Sequence, residues 1–153
     1  MRRRIFIMGL TSRRKGQNGE RELAGLLRDL TGWPVARRVR QHDGDSDLVG
    51  VPGWAVECKR RRSATRADIA GWWAQTVAQA GGQLPVLFYR VDRADWRAVW
   101  PLAVHLVEQH SDMWAGYAWT CETSIEAWAA VARELHAQSA APVEARVPTL
   151  EGA

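Results

Sequence analysis

Glu57 and Lys59 stand two residues apart in the run Trp54-Ala55-Val56-Glu57-Cys58-Lys59, and Asp47 lies ten residues before Glu57. Taken as a strand, the run has a period of two, which puts Trp54, Val56 and Cys58 on one face and Ala55, Glu57 and Lys59 on the other. The first face is core. The second sets a carboxylate beside an ammonium, with a small alanine leaving room above them; taken alone, such a pair is also what a solvated strand face carries. The segment ahead adds a second acid. A hairpin centred on Pro52 with a three-residue connection brings Asp47 opposite Glu57 on the same face, whereas a two-residue turn at Pro52-Gly53 brings it opposite Cys58. Facing carboxylates repel each other, so holding two together invites a divalent cation. Oxygen ligands, completed by waters and a backbone carbonyl such as that of Cys58, suit Mg²⁺, with Mn²⁺ as a substitute.

The identity of the base adds to this. Of the 21 basic residues 19 are arginine, and only Lys15 and Lys59 are lysine. A compact ammonium with a tunable pKa can position a water or stabilise developing negative charge, which a guanidinium does poorly. Glu20 is a third acid, at the rim of a leucine stripe, placed either to cap the helix start or to reach the site; Glu22 points the other way. Gln75, two residues after Trp73, reads on spacing alone as a polar residue flanking a buried stripe. Asp43 and Asp45 share the parity of Asp47, but the loop is expected to carry them away. His42, His105, His110 and His136 have no ligand spacing and read as structural or solvated. Cys58 reads as an inert core thiol, and with Cys121 far off in sequence a reduced, cytosolic interior is the simple expectation.

The elements that must position these groups follow from periodicity. Gly16 to Leu30 predicts a helix with Leu23, Leu26, Leu27 and Leu30 on one side, ended by Gly32-Trp33-Pro34. Val35 to Arg40, Asp47 to Val51 and Trp54 to Lys59 predict strands, with a polar loop between the first two. Thr65 to Ala80 predicts a second helix, with Ile69, Trp72, Trp73, Thr76, Val77 and Ala80 inward. Leu84 to Tyr89 predicts a buried strand. Beyond it, Trp96–Trp100 and Trp114–Thr120 predict strands, Leu102–Gln109 a short helix, and Ser124–Ala137 a closing helix capped by Ser124. The order α-β-β-β-α-β plus C-terminal additions predicts a layered α/β or α+β fold, a mixed central sheet flanked by helices. Residues 1–15 are expected to be a poorly ordered basic leader, with Met8 an alternative start, residues 16–137 the single domain, and residues 138–153 a loose tail.

Composition limits the partners. No run approaches the roughly 18 apolar residues that span a bilayer, and the apolar part of Ile5–Leu10 is too short for a signal peptide. The formal charge of +4 is unevenly spread: residues 1–66 hold 16 of the 21 bases and 7 of the 17 acids, a net of +9, and the remainder nets −5. A basic half points to a polyanion, nucleic acid first. Arginine outweighs lysine and Ala and Trp are abundant, as a GC-rich bacterial or phage genome would produce.

Gly19-Glu20-Arg21-Glu22-Leu23, Arg37-Arg38, Asp47-Leu48-Val49-Gly50 and Val56-Glu57-Cys58-Lys59-Arg60, in that order, resemble the PD-(D/E)XK nuclease superfamily, and more narrowly the archaeal-type and phage Holliday junction resolvases. The resemblance covers roughly residues 16–90, with Ser46 where the superfamily nominally has proline. It implies a restriction-endonuclease-like core, Asp47 and Glu57 as metal ligands, Lys59 as the residue that orients water, and Glu20 as the helical acid; in several members a helical glutamine, here Gln75, nears the site. It implies Mg²⁺-dependent hydrolysis of DNA, most simply at branched junctions, by a homodimer without an organic cofactor. Arg13, Arg14, Lys15, Arg37, Arg38, Arg40, Arg60, Arg61 and Arg62 are the candidate phosphate contacts. A nuclease for flaps, forks or restriction targets, a non-catalytic junction binder and an aromatic-surfaced scaffold are the competing expectations.

Overall fold

The computed structural model describes residues 2–39, 45–105 and 115–141. Its first element, α1 (Arg2–Thr31), begins 14 residues earlier than Gly16. Residues 2–15, expected to be a loose leader, therefore continue the helix. No proline or turn pair interrupts them, and once the leucine half is fixed by packing each added residue propagates a helix already nucleated. Leu23, Ala24 and Leu27 are buried against the sheet, and the Gly32 amide closes the helix on Arg28 O at 2.8 Å.

Six strands form one mixed sheet in sequence order: β1 (Ala36–Arg37), β2 (Leu48–Val49), β3 (Trp54–Arg61), β4 (Leu84–Val91), β5 (Arg97–Pro101) and β6 (Thr120–Ser124). All pairings are antiparallel except β3 with β4. That parallel pair needs a crossover, and α2 (Arg66–Ala78) supplies it. A reciprocal capping box starts α2: Thr65 Oγ1 accepts from the Asp68 amide at 3.2 Å, while Asp68 Oδ2 accepts from the Thr65 amide at 2.8 Å. The last helix, α3 (Ile125–Ala140), is capped by Ser124 as expected.

The sheet separates two apolar layers. On one face α1 and α3 bury Trp54, Val56, Phe88, Trp100 and Trp128, with edge-to-face ring contacts between Trp54 and Trp128 at 5.4 Å and Phe88 and Trp128 at 4.8 Å. On the other, α2 covers Leu87 and Val99 with Trp73. The alternation expected of β3 holds, since Trp54, Val56 and Cys58 join the first layer.

The C-terminal third departs from expectation. Of the strand expected at Trp114–Thr120, residues 115–119 form none: Tyr117–Trp119 is a 3₁₀ turn, and the strand begins at Thr120 and runs to Ser124. Pairing decides this, because Cys121 and Thr123 face Trp100 and Ala98 across β5, and Trp100 Nε1 donates to Thr123 Oγ1 at 3.1 Å. Leu102–His105 is also a 3₁₀ turn, and residues 106–114 lie outside the described residues, as does the tail beyond Ala141. The first two strands are shorter than the expected Val35–Arg40 and Asp47–Val51. No helix among the described residues is long and apolar enough to cross a membrane.

Gly50 holds the hairpin against the chain that leaves α1. Its φ is +82°, and a Cβ there would stand 2.3 Å from the Pro34 carbonyl oxygen. Neither backbone can yield cheaply, so Gly50→Ala is expected to destabilise the fold by about 3 kcal/mol and lower Tm by roughly 10 °C. Thermal melting followed by circular dichroism checks this; a shift under about 2 °C would show that the hairpin tolerates displacement.

Candidate active site

Pro52 and Gly53 turn the hairpin, with the Trp54 amide donating to Val51 O at 3.2 Å, and beyond this two-residue turn Leu48 pairs with Val56. The Asp47 amide donates to Val56 O at 2.9 Å, and Asp47 Oδ2 accepts the Cys58 amide at 2.8 Å. Arg38 holds the approach to this point: its amide donates to Asp47 O at 3.0 Å and its Nε to Ser46 O at 2.9 Å. The Asp47 and Glu57 carboxyls come within hydrogen-bonding reach of each other, and burial together with the Glu57 charge pushes the Asp47 carboxyl up to about 6.

Glu57 is 4% exposed. Its countercharge is Lys59, the next residue on the same face, whose Nζ lies 2.6 Å from Glu57 Oε1 and donates to Gln75 Oε1 at 3.1 Å. Gln75 thus reaches the site through α2 and fixes the ammonium between an acid and an amide. Glu20 arrives from α1, paired with Arg37. Burial raises its carboxyl above the usual range, Arg37 opposes that, and the nearby Asp47 charge adds to the rise. Burial likewise pushes the Cys58 thiol well up, in keeping with an inert core thiol.

These groups line one cleft of about 620 Å³, together with Arg13, Gln17, Asp45, Cys58, Arg61 and Gln79. Asp45 is a correction to the expectation that the loop removes it; Asp43 lies outside the described residues. Gln17 and Gln79 went unnoticed in the sequence. Arg13, Gln17 and Glu20 share a helix face at spacings of four and three, and Gln79 lies one turn beyond Gln75, so helical spacing could have found both. Glu22, expected to be an ordinary surface acid, pairs with Arg90 and accepts from Trp96 Nε1 at 3.1 Å.

Of the other basic candidates, Arg13, Lys15, Arg60, Arg61 and Arg62 line an adjoining groove of about 590 Å³ that shares Arg13 and Arg61 with the cleft. Arg61 also lies over the Trp72 ring at 5.8 Å. Arg14 lines a hollow with Asn18 and Glu22 that shares Lys15 and Arg60 with the groove. Arg37 is engaged by Glu20, Arg38 by Ser46, and Arg40 lies outside the described residues. His105 packs on Trp100 and His136 on Trp33, as structural histidines do; His42 and His110 lie outside the described residues.

Among the described residues no group of three or more acid, histidine or cysteine side chains converges as a metal cage. Two facing carboxylates nevertheless suit a hard cation that keeps several waters. In a β-ladder a residue's amide and carbonyl leave the same strand edge, so the Cys58 carbonyl is on the edge where its amide meets Asp47. The donor set therefore fits Mg²⁺ or Mn²⁺ through two carboxylates and one carbonyl, with Glu20 turned to Arg37 instead.

A search of curated proteins finds no match. Among solved structures, Hjc of Archaeoglobus fulgidus, a Holliday junction resolvase from an archaeal hyperthermophile, is similar at 22% identity over 72% of this chain and 84% of that one, with a TM-score of 0.41. A family model described as "phage putative PDDEXK endonuclease" matches residues 11–128, a stretch that takes in the cleft and all six strands. The chain belongs to this PDDEXK endonuclease family.

Proposed function

We propose that the protein is a divalent-cation-dependent DNA endonuclease that cuts branched DNA, four-way junctions above all, with Mg²⁺ as its natural ion and Mn²⁺ as a substitute. The observation that carries the proposal is the facing pair Asp47 and Glu57, with Lys59 2.6 Å from Glu57, in a cleft that adjoins a basic groove. A protein that only binds DNA has no use for buried carboxylates beside a polyanion, which they repel.

Asp47, Glu57 and the Cys58 carbonyl would hold the ion, which when bound lowers the pKa of water and offsets phosphate charge. Lys59, steadied by Gln75, directs its N–H groups toward the attacking water or the phosphate oxygens. Gln75 acts through Lys59 and is a positioning residue. Arg13 and Arg61, shared by cleft and groove, bind the flanking phosphates. The preference for a junction rests on the similarity of residues 16–90 to junction resolvases. Symmetric cutting of two strands then calls for a homodimer with paired sites.

Incubation with a labelled four-way junction and a linear duplex of matching sequence, in Mg²⁺ or in EDTA, tests the proposal. Paired nicks in the junction, only with the ion, are expected. Equal cutting of the linear duplex would remove the junction preference, and no cutting of either DNA in Mg²⁺ would end the nuclease reading. A protein that sediments as a monomer on the junction would remove the dimer.

A further inference from the structure

Lys15 and Arg60 come from different elements, α1 and β3, yet meet on one atom. Lys15 Nζ and Arg60 Nη1 each lie 2.7 Å from Asp92 Oδ1. Two features bring them there. A Cβ on Gly19 would stand 2.8 Å from the Arg60 Cβ, so the glycine lets the helix lie close on β3 at this point. Beyond the paired residues Arg61 and Val91, the Asp92 amide donates to Arg62 O at 3.3 Å, which fixes the acid next to a residue that lines the groove. Asp92 is half-exposed, and its two partners line the groove with Arg13, Arg61 and Arg62.

One anionic oxygen taking a hydrogen bond from an ammonium and another from a guanidinium is the coordination that a DNA phosphate oxygen receives. We infer that Lys15 and Arg60 form a phosphodiester-binding subsite next to the cleft, held in the free protein by the Asp92 carboxylate, which DNA must displace. The inference rests on the nuclease reading. Asp92 keeps the two cations spread and ready while offsetting part of their charge, so it limits how tightly the groove holds a backbone. Nothing in local sequence points to it, since Asp92 lies 77 residues from Lys15 and 32 from Arg60.

The test is DNA binding in EDTA, with fluorescent linear duplex titrated at salt from about 50 to about 200 mM. Asp92→Asn keeps an acceptor oxygen but removes the charge. It is expected to tighten binding about three- to tenfold at the lowest salt, because DNA no longer has to displace a carboxylate from the two cations. Glu134→Gln, the same charge change on exposed α3, should alter binding less than about twofold. Asp92→Ser serves if the asparagine variant does not fold; a gain in affinity cannot come from misfolding. In a Lys15→Gln background the gain should shrink. Unchanged or weaker binding by both folded Asp92 variants, with the wild type binding normally, would overturn the subsite alone. No binding by the wild type at low salt would overturn the nuclease reading and the subsite with it.

Discussion

Asp47→Asn is expected to raise the melting temperature of the metal-free protein at neutral pH while ending DNA cleavage. The asparagine oxygen can still accept the Cys58 amide, and its NH₂ can donate to Glu57, so the local hydrogen bonding survives. What disappears is a buried negative charge facing another. The Asp47 carboxyl is raised from 3.8 to about 6 by burial and by Glu57. A carboxyl whose folded pKa lies above its unfolded one binds more protons in the native state. The stability this carboxyl contributes is therefore greatest below about 4, is lost as pH rises through about 6, and stays absent above that. At pH 7.5 this penalty is on the order of 2–3 kcal/mol, a rise in Tm of several degrees once it is relieved. Melting in EDTA should show the wild type losing stability between pH 4 and 6.5 and the variant losing less. Added Mg²⁺ should stabilise the wild type at pH 7.5 and leave the variant unmoved, because only a ligand that prefers the folded state shifts Tm. Cleavage should fall by at least about a thousandfold. A variant that melts lower in EDTA, or still cuts, would show that the two acids do not share one cation.

Lys59 is expected to be the second large effect, of opposite sign in stability. Lys59→Met leaves Glu57 buried at 4% exposure without its 2.6 Å partner. Stripping one member from a buried pair typically destabilises by about 3–5 kcal/mol, reduced here because the Lys59 side chain keeps 12% exposure. Cleavage should drop by about 10²–10⁴ through loss of the group that handles water. Lys59→Arg separates the roles: it restores the countercharge and much of the Tm, yet a planar fork cannot occupy the same point between Glu57 and Gln75, so activity stays low. An arginine variant with near wild-type cleavage would reduce Lys59 to a countercharge.

Much of the candidate site was legible because it is local. One turn and a period of two bring Asp47, Glu57 and Lys59 into one cleft, although the turn is the two-residue one at Pro52-Gly53 and Leu48 pairs with Val56. The leucine stripe and the α2 stripe were legible for the same reason. Long-range pairing was not. The strand beginning at Thr120 carries less apolar signal than the segment before it and exists because β5 offers an edge. The early start of α1 was hidden by Gly16, which reads as a boundary but lies inside a helix extending from Arg2 to Thr31. That misplacement left Arg13 looking like part of a loose arm, although it lines the cleft. Asp45 and Asp92 depend on where a loop end and a strand end come to rest, which spacing does not encode.

The unbroken rod of α1 makes one object of two trades. Leu23 and Leu27 seat it in the interior, while Arg13, Gln17 and Glu20 face the cleft from the same cylinder. Adding or removing one residue between Arg13 and Gly16 would swing Arg13 by about 100° while Gly19, Leu23 and Leu27 keep their packing. Viable length changes in related chains are thus confined to the far side of Arg13, or come as increments close to whole turns. The helix acts as a gauge whose scale is set by the hydrophobic interior and whose mark falls at the cleft.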